Sequence, residues 1–189
     1  VTSSFGGATS YWMCQNNPTW RDWLIEQGKR CVDIGVDIIL LDELIGNALM
    51  VSPEPNHIGF CDYCMNGFRD YLRSKFTVEE LREKFGIENI EDFNYREYLL
   101  QSEMTSMSKV RGTPLWDEFM RFQDESNFEA KKRITDELRS YIKQEGRSTL
   151  IAGNMYLPFV RFLHYASLCD MLTIEVHSNI PPNMGEWIY

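Results

Sequence analysis

The stretch VDIILLDELIG, residues 36–46, decides the fold prediction, because a short apolar run ends there on two adjacent acids, Asp42 and Glu43. The helical pattern PTWRDWLIEQGKRCVDIG leads into it, opening at Pro18 and stopping at Gly35. A helix followed by a β-branched apolar strand is typical of a parallel sheet whose faces are covered. We therefore predict a strand over VDIILL that presents both acids at its carboxyl end, the ligand-binding edge of α/β folds.

The same alternation returns in the second half of the chain. A helix is predicted over residues 114–145, with apolar residues on approximately one stripe. The strand STLIAGNMY then ends on Asn154, a brief helix follows in PFVRFLHYASLCD, and the strand MLTIEVHSN ends near Glu175 and His177. Strands separated by helices predict a βαβ progression, and hence an α/β fold.

Residues 44–113 interrupt this alternation. They contain a loop and two predicted helices, CDYCMNGFRDYLRSKF and TVEELREKFG. The segment far exceeds the usual βα connection of about 2 to 6 residues. We interpret it as an insertion after the second strand of the fragment, and insertions at strand ends often surround an active site.

Composition narrows the class of partner. The chain has 189 residues, is 43% hydrophobic and carries a net charge of -9 without a basic run, which disfavours nucleic acid and anionic membranes as partners. No apolar window is long enough for a membrane span, so no membrane association is predicted.

Five cysteines cannot all pair, which favours a reducing compartment such as the cytoplasm. The sequence starts without Met and stops at GEWIY, as expected for an internal piece of a longer protein.

The acids at the strand ends are the candidate catalytic groups. Glycoside hydrolysis needs two carboxyl groups about 5 to 5.5 Å apart for retention, or about 6.5 to 9.5 Å for inversion. Glu43 and Glu175 form such a pair only if their strands face each other, and each also suits a cap, an ion pair or a hydroxyl ligand. Asp42, Glu43, Glu175 and His177 together form a second candidate set, the ligands of a metal-dependent hydrolase.

Cys61 and Cys64 form a C-x-x-C pair in the segment CDYC. Thiolates at this spacing can bind zinc from one turn, and a closed structural site needs four ligands. The remaining ligands are left open among Cys14, Cys31, Cys169 and His57. A redox pair and two packed thiols are the competing interpretations.

Polar and aromatic residues near the predicted strand ends can contact a sugar. Stacking and hydrogen bonding to hydroxyls suit Trp12, Asn16, Asn154 and Tyr156. Each of the four equally fits a capping or packing role.

The order GVDIILLDE, FCDYCMNGFRDYLRSKF, EKFG, PLWDEFMRFQDESNFEAKKRITDELRSYI, LIAGNMY and DMLTIEVHS resembles the middle of the barrel of family 42 β-galactosidases and their relatives. In that family a strand ending in Asn-Glu precedes a cysteine-bearing segment, a Phe-Arg-x-Trp-Leu type helix and a long Arg-Phe containing helix. The resemblance covers about residues 17–177. It implies an α/β fold of the TIM (β/α)8 barrel type, with residues 1–189 forming an incomplete barrel segment of about strands 3 to 6.

The resemblance also implies a retaining glycoside hydrolase that acts on an oligosaccharide or glycoside. Glu43 matches the general acid/base, the nucleophile is expected outside this fragment, and Asp42 replaces a substrate-binding Asn. Asn154, Glu175, His177 and Trp12 complete the predicted substrate contacts. No cofactor is required apart from a structural zinc, whose Cys-x-Cys-x-x-Cys run is incomplete because Gly59 replaces the first thiolate. A non-catalytic carbohydrate-binding barrel is the alternative function, and a homo-oligomer stays open.

Overall fold

The computed structural model describes residues 2–5, 8–42, 44–46, 51–53, 58–155 and 160–174. An N-terminal hairpin of β1 (Thr2–Phe5) and β2 (Ala8–Tyr11) precedes α1 (Pro18–Asp33) and β3 (Ile38–Leu41). Then come α2 (Asp62–Lys75), α3 (Val78–Phe85), α4 (Tyr95–Gln101), α5 (Met107–Val110) and the long α6 (Pro114–Gln144). The described part ends with β4 (Leu150–Asn154), a 3-10 helix (Val160–Leu168) and β5 (Met171–Thr173).

Local signals set the ends of α1. The Asn17 side chain accepts a hydrogen bond of 3.0 Å from the backbone N–H of Thr19, and Pro18 occupies the first turn. Gly35 follows the helix with a φ of +79°, a conformation that glycine adopts without steric cost. The predicted helix before β3 is therefore confirmed, and so is the predicted order of helix and strand.

The three predicted strands form one parallel sheet in the order β3-β4-β5. Ile38 pairs with Leu150, and Ala152 pairs with Met171, so equivalent residues of neighbouring strands share a face. β1 and β2 pair antiparallel with each other in a separate two-stranded sheet. Among the described residues, β3 and β5 are thus the two edges of an open sheet.

The prediction of an incomplete TIM (β/α)8 barrel segment spanning strands 3 to 6 is wrong. The described residues are mostly helical and contain only this small three-stranded parallel sheet beside the hairpin. Apolar strands separated by helices are common to open sheets and barrels, whereas closure depends on strand number and stagger, which are properties of the whole sheet. The fold therefore lends no support to a family of barrel glycoside hydrolases.

Residues 44–113, predicted as an insertion, contain α2 to α5 in their described part and pack on the first half of α6. Aromatic side chains dominate this first core: Phe60, Phe68, Tyr95, Phe119 and Phe122. Phe119 is central, because its ring lies 4.9 Å from those of Phe60, Phe68 and Tyr95. Because these rings come from three helices and a loop, their packing fixes the loop before α2 relative to α6.

The second half of α6 packs on α1 and the sheet. Ile25 and Val32 of α1 meet Ile134, Leu138 and Ile142 of α6 in a second cluster that also contains Ile151 of β4. A third cluster joins Leu44 and Ile45 to Met155 and the 3-10 helix. No helix in the described ranges combines the length and the apolar character that a membrane span requires.

A polar stripe interrupts the apolar face of α6. Gln123, Asn127, Lys131 and Thr135 recur every four residues, and all four are buried. The amide nitrogen of Gln123 donates to the Gly59 carbonyl at 3.1 Å, and that of Asn127 donates to the Tyr165 hydroxyl at 2.7 Å. Gln123 and Asn127 therefore hold the Gly59 loop and the 3-10 helix against α6 through hydrogen bonds, and four-residue spacing keeps both side chains on one face.

Candidate functional site

Three cysteines converge at the start of α2. Cys14 follows the hairpin, Cys61 precedes the first residue of α2, and Cys64 lies in its first turn. The Cys14 sulfur lies 3.1 Å from that of Cys61 and 3.5 Å from that of Cys64, and the Cys61 and Cys64 sulfurs are 3.6 Å apart. We call these residues the thiol cluster.

The thiol cluster fits a tetrahedral metal ion. Sulfurs at about 2.3 Å from zinc would be about 3.8 Å apart at the corners of a tetrahedron. Two of the separations seen here, 3.5 Å and 3.6 Å, are close to this value, and the third, 3.1 Å between Cys14 and Cys61, is shorter. Cys64 is buried and the other two are half-buried, so the ligand atoms are partly shielded from water. The cluster can therefore bind a metal through three thiolates.

Hydrogen bonds within the cluster stabilise a thiolate. They lower the pKa of Cys61 to about 2, while hydrogen bonding to Cys61 raises the pKa of Cys14. The pKa of Cys64 is also raised, by its hydrogen bonds to both other cysteines and by burial. Negative charge in the cluster is therefore favoured at Cys61, and a bound cation would favour deprotonation of the other two thiols.

Asn16 supports the thiol cluster from outside. Its amide nitrogen lies 3.4 Å from the Cys64 sulfur and 3.4 Å from the Ser126 hydroxyl of α6. Hydrogen bonds of this kind orient metal ligands and stabilise thiolates. Asn16, predicted as a sugar contact, thus lies with the cysteines instead.

The other cysteines lie apart from the cluster. Cys31 belongs to α1, and Cys169 packs beside Gly153 of the sheet. His57 lies outside the described residues. Gly59 has a φ of +96°, and a Cβ atom there would lie 3.1 Å from the Gln123 amide, so a thiolate at this position would need the loop to shift. Of the residues left open by the sequence, the structure brings Cys14 to the C-x-x-C pair.

The carboxyl ends of β3 and β4 bring Asp42 and Asn154 together. Leu41 pairs with Gly153, so the next residues of both strands are neighbours. The Asn154 amide nitrogen donates to the Asp42 carboxylate at 2.9 Å, and the Leu44 N–H donates to the Asn154 carbonyl at 2.9 Å. Parallel pairing thus places two predicted substrate contacts side by side. The predicted general acid/base, Glu43, and three predicted sugar contacts, Tyr156, Glu175 and His177, lie outside the described residues.

A cavity of about 390 Å³ opens beside this strand edge, between α1, α6 and the segment after β2. Trp12, predicted as a sugar contact, lines it together with Trp20 and Asp42. The Trp20 ring stacks on Trp23 at 4.8 Å between centroids, which steadies one wall. We call this space the strand-edge cavity.

Polar atoms without partners lie in the lining residues of the strand-edge cavity. The Gln15 side-chain oxygen and the Arg21 Nε atom are buried and lack hydrogen-bond partners among the described residues. Lys131, which is 7% exposed, also lines the cavity. The sequence analysis missed these three residues. The Asn-Pro cap of α1 was an available signal, since it places residue 21 one turn into the helix.

Comparison with models of protein families, with curated proteins and with solved structures gave no match. The resemblance to family 42 β-galactosidases is therefore an untested hypothesis. Functional conclusions rest on the thiol cluster and the strand-edge cavity alone.

Proposed function

We propose that the strand-edge cavity binds a carbohydrate. The observation that carries this proposal is the presence of two indole rings, Trp12 and Trp20, in the same cavity as the Asp42 carboxylate. Small-molecule pockets of about 300 to 1,000 Å³ typically combine apolar walls with a few polar groups, and this cavity has that size and composition. Indole faces suit the apolar face of a sugar ring, while a carboxylate accepts hydrogen bonds from its hydroxyls.

Carbohydrate binding is tested by titration calorimetry with a panel of mono- and disaccharides. Asp42→Ala should weaken binding at least about tenfold, the effect of losing a hydrogen bond to a charged group. Asp37→Ala is the matched control, because Asp37 is an exposed acid at the opposite end of the same strand. Absence of binding by any sugar, or equal affinity of both variants, would contradict the proposal.

The catalytic form of this proposal is glycoside hydrolysis with Glu43 as general acid/base. It is supported by position alone, since Glu43 follows Asp42 at the carboxyl end of β3. Its carboxyl pKa must be raised in the complex for proton transfer at neutral pH. If the protein cleaves aryl glycosides, Glu43→Gln should lower turnover about 10²- to 10⁴-fold, and Asp37→Asn should not. Unchanged turnover in Glu43→Gln removes the assignment.

We also propose that the metal of the thiol cluster is a structural zinc ion. Thiolate ligands favour zinc among the available divalent ions, and bound zinc would tie the segment after β2 to α2. Its binding would add to the free energy of unfolding by mass action, about 2.7 kcal/mol at a free concentration of 100 times the Kd.

The zinc proposal is tested by elemental analysis of the purified protein. We expect about one zinc per chain, loss of zinc in Cys64→Ser, and retention in Cys31→Ser, whose thiol lies on α1 outside the cluster. Cobalt substitution should give the absorption bands of tetrahedral thiolate coordination. Equal metal content in the two variants would exclude the thiol cluster as the binding site.

A further inference from the structure

Cations outnumber acids among the described residues that line the strand-edge cavity, whereas acids outnumber cations in the whole chain. The chain as a whole has a net charge of -9. Among the described residues that line the cavity, two are cations, Arg21 and Lys131, and one is an acid, Asp42. A neutral sugar would not need this excess of positive charge.

Arg21 makes no ion pair within the part of the chain that the structure describes. Arg21 ends the first turn of α1, where the positive end of the helix dipole disfavours a cation. No carboxylate among the described residues pairs with it: the neighbouring Asp22 accepts from Arg133 at 2.8 Å, and Asp42 accepts from Asn154. Its Nε atom is buried and has no acceptor among those residues, which costs free energy.

Lys131 adds a second positive charge from the opposite wall. Its side chain extends from the polar stripe of α6 and is 7% exposed. A lysine is rarely buried to this extent, and here the burial places its charge beside the cavity rather than in bulk solvent. The two cations come from α1 and α6, whose packing on each other holds both walls in place.

We propose that the ligand of the strand-edge cavity is an acidic carbohydrate, a sugar that carries a carboxylate, and that Arg21 determines this specificity. The inference rests on the proposed carbohydrate binding and names its substrate class. A guanidinium and a carboxylate match through two parallel N–H···O hydrogen bonds, a geometry that a lysine ammonium does not provide. The indole rings contact the sugar ring, and Asp42 accepts from a hydroxyl away from the carboxylate.

The test compares uronic-acid disaccharides with neutral disaccharides of the same stereochemistry, in which CH2OH replaces the carboxylate. Calorimetry on the full chain should show the acidic member of one pair bound at least about tenfold more tightly, with an affinity that falls as salt is added. Arg21→Leu should bring the ratio of the affinities for the acidic sugar and its neutral counterpart to about one.

Arg30→Leu is the matched control, since Arg30 is an exposed arginine in the last turn of the same helix. Arg21→Lys keeps the charge but loses the paired donors, and it should retain part of the preference. Equal affinity of wild type for acidic and neutral sugars, or a preference that survives Arg21→Leu, would overturn the assignment of Arg21. Absence of any sugar binding would instead refute the underlying carbohydrate proposal, so the two failures are distinguishable.

Discussion

Gly28, near the middle of α1, allows the close approach of α1 to α6. A Cβ atom at Gly28 would lie 2.5 Å from Cδ2 and 2.9 Å from Cδ1 of Leu138. Leu138 is 1% exposed and cannot turn away without disturbing its core cluster. Gly28→Ala therefore adds overpacking of about 1–3 kcal/mol and recovers about 1 kcal/mol from helix propensity. We expect it to lower the free energy of unfolding by up to about 2 kcal/mol.

The sign of this effect should reverse when Leu138 is truncated. Leu138→Ala alone should cost about 2–5 kcal/mol, because it leaves a cavity in the second cluster. In that background the methyl group of Gly28→Ala meets no clash, and the substitution should stabilise the protein by about 1 kcal/mol. The four proteins are compared by urea denaturation followed by circular dichroism, and the cycle should give a coupling energy of about 1–3 kcal/mol.

Leu99→Ala provides the control for this cycle. Leu99 is 0% exposed but belongs to the aromatic core around α2 to α5, away from Gly28. Its effect should add to that of Gly28→Ala within about 0.5 kcal/mol. If Gly28→Ala has the same effect in the wild type and in Leu138→Ala, the proposed close packing of α1 on α6 is refuted.

Three further predictions concern a cap, the aromatic core and a carboxylate. Thr77→Ala should lower the free energy of unfolding by about 1 kcal/mol in thermal denaturation, because it breaks the capping box with Glu80. Thr77→Ser keeps the capping hydroxyl, so its free energy of unfolding should lie close to that of the wild type. Phe119→Ala should cost about 3–5 kcal/mol in urea denaturation, and a loss under about 1 kcal/mol would contradict its central position. The Ile151 N–H donates to Asp170 at 2.8 Å and lowers the pKa of that carboxyl. The ionised Asp170 carboxylate stabilises the folded state at pH values above its pKa in the unfolded chain, and this stabilisation is lost as pH falls through its lower pKa in the folded state. The free energy of unfolding of wild type should therefore exceed that of Asp170→Asn by less below about pH 4 than at pH 7. A difference that stays constant from pH 7 to pH 3 would argue against this role of Asp170.

Short-range signals in the sequence were sufficient for most elements. The Asn-Pro cap and Gly35 delimit α1, and Thr77 with Glu80 begins α3, because the groups that make these caps lie within a few residues. The strands β3, β4 and β5 were recognisable from their apolar, β-branched composition. The apolar stripe predicted on α6 is confirmed from Leu115 to Ile142, since burial follows the helical period.

The barrel prediction failed because it concerned pairing between distant strands. A parallel βαβ pattern is compatible with several sheet arrangements, and the hairpin of β1 and β2 pairs with itself instead of extending the sheet. The third cysteine was undecided for the same reason, since Cys14 lies 47 residues from Cys61. The polar stripe of α6 was hidden because Gln123 and Lys131 would ordinarily be assigned to a solvated face.

The sequence by itself determined α1, α2, α3 and α6, the three strands of the parallel sheet, the C-x-x-C pair and the position of Asp42 after a strand, but not α4, α5 or the N-terminal hairpin. These properties follow from caps, periodicity and composition, which act over one or two turns. Only the tertiary structure decided that the described strands form an open sheet, that Cys14 joins Cys61 and Cys64, and that Arg21 and Lys131 line a cavity with Asp42. The physical reason is that these features depend on contacts between residues far apart in the chain, which are formed by packing of α1, α6 and the sheet rather than by local preference.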